Sequence, residues 1–116
     1  MRPNEKDFVD SFDELSSEAY RTAKEKGFWE GDNDNVPSKL CLMHSEISEA
    51  LEAYRLGNPP SEKIDGFSSI EEELADEIIR VMDFSKRHSL RTAEAVISKL
   101  WYNKDERSYK HGGKKC

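Results

Sequence analysis

Apolar residues in this 116-residue chain recur at intervals of three and four and almost nowhere at intervals of two, and that spacing commits the chain to helices. Phe8, Phe12, Leu15, Ala19 and Ala23 form one stripe, which predicts a helix over residues 7–26 stopped by Gly27. Leu40, Met43, Ile47, Ala50, Leu51 and Tyr54 form a second, over 37–56, with Pro37 suited to the first turn and Gly57-Asn58-Pro59-Pro60 closing it. Residues 58–68 read as a linker with turn signals at Asn58-Pro59-Pro60 and Asp65-Gly66. Ser69 followed by Glu72 reads as a capping box for a third helix over 70–87. A fourth, over 90–106, carries Ala93, Val96, Ile97, Leu100 and Trp101, and a basic tail, 107–116, follows. The expected fold class is all-α, one domain over 1–116, and four helices with short links make a four-helix bundle-like arrangement the expected architecture.

Only 35% of the residues are hydrophobic, so the core of a domain this size is thin and self-association is the natural remedy. No apolar run approaches the roughly 18–20 residues of a membrane span, and Met1-Arg2-Pro3-Asn4-Glu5 lacks the apolar stretch of a signal peptide. A cytoplasmic protein without a membrane partner is the expectation. Cys41 and Cys116 suggest neither a disulfide framework nor a zinc site. Charge is divided unevenly: the last 18 residues carry six cations against two acids, so of the net −6 the first 98 residues hold −10. Such a body repels a nucleic-acid backbone. A small anion held together with a metal suits the two signs better.

Some acids occupy helix faces that also carry apolar residues. Glu46 and Glu49 are three apart, beside Met43, Ala50 and Ala53; Glu73 and Asp76 repeat the spacing among Leu74, Ala75, Ile78 and Ile79. A carboxylate costs several kcal/mol to bury unpaired, so four on neighbouring helices call for a shared counter-charge. An all-carboxylate set suits hard cations, which points to Mg²⁺, with Mn²⁺ as the alternative. A di-iron site would need Glu-x-x-His pairs, and the sequence has none. Most single Glu-x-x-Glu pairs merely decorate a solvated helix; it is the repetition on consecutive amphipathic helices that carries weight. On the fourth helix Lys99, Asn103 and Arg107 recur every four residues and continue into Lys110, a stripe that suits phosphate oxygens or, read blandly, a solvated face. Phe28 and Trp29, in a glycine-rich loop, either lid the core or stack on a planar base.

Glu46-Ile47-Ser48-Glu49, 23 intervening residues and Glu73-Leu74-Ala75-Asp76 resemble the ExxE…ExxD signature of the all-α nucleoside triphosphate pyrophosphohydrolases, the MazG-like and dCTP-pyrophosphatase-like group. The ending Lys99 to Arg107, followed by Lys110-His111-Gly112-Gly113-Lys114, is similar to the K-x₃-N-x₃-R…HGGK tail of small single-domain members. The resemblance implies hydrolysis of a nucleoside triphosphate to the monophosphate and pyrophosphate, in nucleotide-pool house-cleaning. It implies Mg²⁺ held by Glu46, Glu49, Glu73 and Asp76, and phosphates met by Lys99, Asn103, Arg107 and Lys110; the resemblance does not say which carboxylate is the base, and Glu49 is taken for that role. It also implies a homodimer or homotetramer, and Phe28 and Trp29 are the candidates for the aromatic residues that sandwich the base in dCTP-specific relatives. The competing expectation is a non-catalytic helical module that binds nucleotide or a partner protein.

Overall fold

The computed structural model describes residues 1–31 and 35–105. They form four helices, α1 (Pro3–Glu25), α2 (Val36–Arg55), α3 (Ser69–Arg87) and α4 (Thr92–Lys104), and no strand, so the class is all-α. Each start has a local cause. Pro3 opens α1, where its missing N–H costs nothing, and Glu5 Oε1 accepts from the Arg2 backbone N–H at 2.7 Å. α1 therefore begins four residues before the predicted start at residue 7. Asn35 Oδ1 caps α2 by accepting from the Ser38 N–H. The capping box of α3 is Ser68 with Glu71, one residue earlier than the Ser69 and Glu72 that the sequence suggested, because Ser69 Oγ instead donates to the Pro59 carbonyl.

The first three helices end alike. Gly27 (φ +81°) follows α1, its N–H bonded to the Lys24 carbonyl and that of Phe28 to Ala23; Gly57 and Asn58 close α2 on Tyr54 and Ala53 in the same way. Ser89 and Leu90 repeat the pattern after α3 on Lys86 and Ser85, with Ser89 at φ +53°, in the left-handed region without the exemption of glycine. The 58–68 linker folds back on itself through a Pro60–Ser68 bridge, which delivers the chain to the start of α3.

α3 is the central helix. It packs antiparallel against α1 on one side and α2 on the other, while α4 docks on the N-terminal half of α1, where Trp101 Nε1 donates to Glu5 Oε2 at 2.9 Å. α4 makes no comparable contact with α2 or α3, so within one chain the helices form an open layer rather than closing round a shared bundle core. Accordingly the only hydrophobic side chains buried among the described residues are Trp29, Ala53 and Ala93, and no large side chain is fully buried. Glu5, Ser16, Lys39, Glu46, Asp83 and Ser85 are buried with them.

An open layer has two broad faces, and α3 separates them. Asp76, Arg80, Asp83 and Arg87 recur at three and four residues and define a polar face; Leu74, Ile78 and Met82 define the opposite, apolar one. Glu46 and Glu49 of α2 turn to the polar face, which places Leu40, Ile47 and Leu51 beside Leu74 and Ile78 on the apolar face.

Candidate carboxylate site

Antiparallel packing of α2 on α3 brings the two predicted acid pairs together. Carboxylate oxygens of Glu46, Glu49 and Glu73 all lie within 4.8 Å of one another, and so do those of Glu72, Glu73 and Asp76. Glu73 belongs to both triads, so the four predicted ligands meet as two overlapping sets rather than at one point. Glu72, whose Oε1 accepts from Ser61 Oγ at 2.6 Å and whose Oε2 lies 3.8 Å from Lys63 Nζ, joins the site from outside the sequence motif.

The carboxylates are not equivalent. Glu46 is buried, and Arg80 Nε donates to its Oε1 at 2.8 Å; Arg80 thus reaches across to α2 instead of steadying Asp76 one turn away on its own helix. Glu49 is exposed. Burial, with Glu49, Asp76 and Glu46 close by, pushes the Glu73 carboxyl up to about 7. One turn on, burial and the Glu46 charge raise Glu77 as well, and its Oε1 is buried without a hydrogen-bond partner. Repulsion among several acids is thus expressed chiefly at Glu73.

The donor set, all carboxylate, is of the kind hard cations take; an octahedral Mg²⁺ with bonds of about 2.0–2.1 Å sets neighbouring ligand oxygens about 2.9 Å and opposite ones about 4.2 Å apart, so oxygens within 4.8 Å of one another would draw closer to share one ion. Such sites keep several waters and take further oxygens from phosphate. Beside Asp76 lies a cavity of about 470 Å³ that runs between α1 and α3 and is bordered by Lys26, Phe28, Lys63, Arg80 and Asp83. Three cations therefore stand next to the carboxylates on the polar face. None of the three belongs to the motif, because Lys26 and Lys63 come from helix-end and linker segments with no periodicity to mark them.

The two aromatics of the loop after α1 divide their roles. Trp29 is 6% exposed, its Nε1 donates to Asp83 Oδ1 at 2.9 Å, and Phe28 and His88 meet its ring edge-on. It closes the core. Phe28 borders the cavity, with Lys39 Nζ 3.5 Å from its ring centroid and the Arg80 guanidinium at 5.6 Å. The buried Lys39 also donates to the Phe28 carbonyl. Asp83 is the buried acceptor for Trp29. Burial raises its carboxyl, against the lowering effect of that bond and of Lys39, Arg80 and Arg87.

The phosphate stripe is placed elsewhere. Lys99 Nζ sits 4.2 Å from the Tyr102 ring centroid, and Asn103 is half-buried on α4. Because α4 docks near Glu5, and Glu5 lies 14 residues, about 21 Å along α1, from the Ala19 that borders the cavity, the chain does not bring Lys99 and Asn103 to its own carboxylates. Arg107 and Lys110 lie outside the described residues. Comparison of the chain with protein-family models, with curated proteins and with solved structures finds no match.

Proposed function

We propose that the protein is a Mg²⁺-dependent nucleoside triphosphate pyrophosphohydrolase that cleaves a (d)NTP to the monophosphate and pyrophosphate. The observation that carries this reading is the meeting of Glu46, Glu49 and Glu73 within 4.8 Å across two helices, beside a cavity bordered by cations and an aromatic ring. Its sequence support is the ExxE…ExxD spacing and the resemblance that spacing carries.

In this reading Glu46, Glu49, Glu73 and Asp76 would hold Mg²⁺, in the two overlapping sets that share Glu73. When bound, Mg²⁺ neutralises triphosphate oxygens and polarises the phosphoryl centre under attack. The chain's own groups supply the rest. Arg80 fixes Glu46 through a 2.8 Å bond, so that carboxylate is set before ligand arrives. In this reading Glu49, the exposed member, orients an attacking water and takes its proton. Lys26, Lys63 and Arg80 stand where the polyphosphate enters, and Phe28 offers the ring a base would meet at the cavity's edge.

The test is a panel of standard and oxidised (d)NTPs incubated with protein and Mg²⁺, with products resolved as monophosphate, pyrophosphate and orthophosphate. Monophosphate and pyrophosphate are expected from at least one nucleotide, and Glu49→Gln should abolish them while the circular dichroism spectrum stays unchanged. Orthophosphate release would refute the reaction class. Tight nucleotide binding without product would make the protein a non-catalytic nucleotide-binding module.

A further inference from the structure

The geometry points to the hollow between the middle of α1 and the turn from α3 to α4 as a binding site for a small zwitterion, one ammonium and one carboxylate on an apolar frame, the chemistry of a free aliphatic amino acid. This inference is independent of the catalytic reading, because the hollow shares no bordering residue with the cavity beside Asp76. At about 440 Å³ it has the size of a small-molecule site. Its walls carry opposite signs. Asp13 and Glu14 border it from α1 and Lys86 from the last turn of α3, and among the described residues no ion pair joins any of the three to a partner.

The buried end of the hollow is made of hydroxyls, and one of them is unsatisfied. Ser16 and Ser85 are 3% and 5% exposed. Ser85 Oγ shares a hydrogen bond with Thr92 Oγ1 at 2.7 Å, and on the rim Ser17 Oγ donates to the Asp13 carbonyl at 3.1 Å. Ser16 Oγ is buried without a hydrogen-bond partner. An unpaired buried hydroxyl opposes folding, and one beside an open hollow can take its partner from whatever enters. A ligand carboxylate meets that need by accepting from Ser16 and Lys86, while an ammonium faces Asp13 and Glu14. Phe12 and Leu90 complete the border with apolar surface for a side chain. Simpler ligands fit less well: a lone anion faces two acids, and a lone cation faces the lysine.

Isothermal titration of the full chain with L-leucine tests this, alongside 4-methylpentanoate and 3-methylbutylamine, which keep its carbon frame and one charge each. Leucine should bind with a Kd of about 1 mM or tighter, and each analogue at least about tenfold more weakly. Lys86→Gln, an exposed position, should weaken leucine about tenfold and leave 3-methylbutylamine unchanged. Ser16→Ala should weaken leucine as well, yet raise the Tm of the ligand-free protein by removing the unpaired hydroxyl. Glu49→Gln should leave leucine binding as it is. No binding at about ten times the expected Kd, or an affinity for 3-methylbutylamine equal to that for leucine, overturns the inference. Leucine binding that survives Lys86→Gln and Ser16→Ala but is lost in Glu49→Gln overturns it too, by moving the ligand to the carboxylate site.

Discussion

Glu73→Gln measures the crowding of acids most directly. The wild-type carboxyl is raised from 4.5 to about 7, first by burial and then by Glu49, Asp76 and Glu46. A group that holds its proton more tightly folded than unfolded contributes stability that is complete below 4.5 and is lost as pH rises through about 7. The gap between the two values sets a ceiling of about 3 kcal/mol, which solvent screening at a partly open site reduces to about 1 kcal/mol. Glutamine keeps the shape and cannot ionise. In EDTA at about pH 8 the variant should therefore be about 1 kcal/mol more stable than wild type, some 4 °C in Tm, and at about pH 4 the two should coincide. Millimolar Mg²⁺ should then raise wild type more than the variant, because the ion favours the ionised carboxylate that glutamine lacks. Scanning calorimetry at three pH values, with and without Mg²⁺, gives all these numbers. If the metal-free variant gained nothing at high pH, or Mg²⁺ raised both proteins equally, close approach of these carboxylates in solution would be refuted.

Other perturbations probe the scaffold and the cavity. Ser89→Gly should stabilise the chain by about 1 kcal/mol in urea titration, since glycine meets no penalty at φ +53°. Trp29→Phe removes the donor to the buried Asp83 Oδ1 and should cost about 1–3 kcal/mol by the same assay. Glu5, held down at about 2 by hydrogen bonds from Arg2 and Trp101, contributes stability that is present above 4.5 and lost as pH falls toward 2. Glu5→Gln should consequently weaken the docking of α4 at neutral pH, read from Trp101 fluorescence in a Trp29→Phe background. Lys63→Ala should raise KM for a hydrolysed nucleotide about tenfold with kcat little changed, as loss of one phosphate contact of about 1.4 kcal/mol does; an unchanged KM would remove Lys63 from the ligand's path.

Spacing alone made the helices legible, because an amphipathic period and its stop signals are local facts; Gly27 and Gly57 end α1 and α2 where the chain reads as ending them. The acid pairs were legible for the same reason, since three-residue spacing fixes a shared face. What lay beyond the sequence was long-range. Periodicity marks that Leu40, Ile47 and Leu51 share a face without saying what covers it, and so an expected bundle is an open layer. Arg80 had acids on its own helix within reach, and only the packing of α2 on α3 decides that it takes Glu46, 34 residues away. The α4 stripe is regular in sequence, yet its docking on α1 rests on one tryptophan and one glutamate 96 residues apart.

A layer with one wet and one dry face also explains why the buried acids are tolerated. On the polar face Glu46 is covered by Arg80 and Asp83 by the Trp29 indole, so each buried carboxylate has a donor drawn from a different element. Glu73 has only acids and burial around it, and its raised carboxyl is the part of the cluster left uncompensated by protein groups. Moving Glu73 by one position along α3 would swing it about 100° round the helix, out of the α2–α3 seam and away from Glu49. The three-residue spacing of both pairs, together with the antiparallel register set by Asn58 Oδ1 on the Ile70 N–H and Arg80 on Glu46, is therefore what concentrates negative charge at one place. Stability of the fold does not require that concentration, which opposes it above about pH 7.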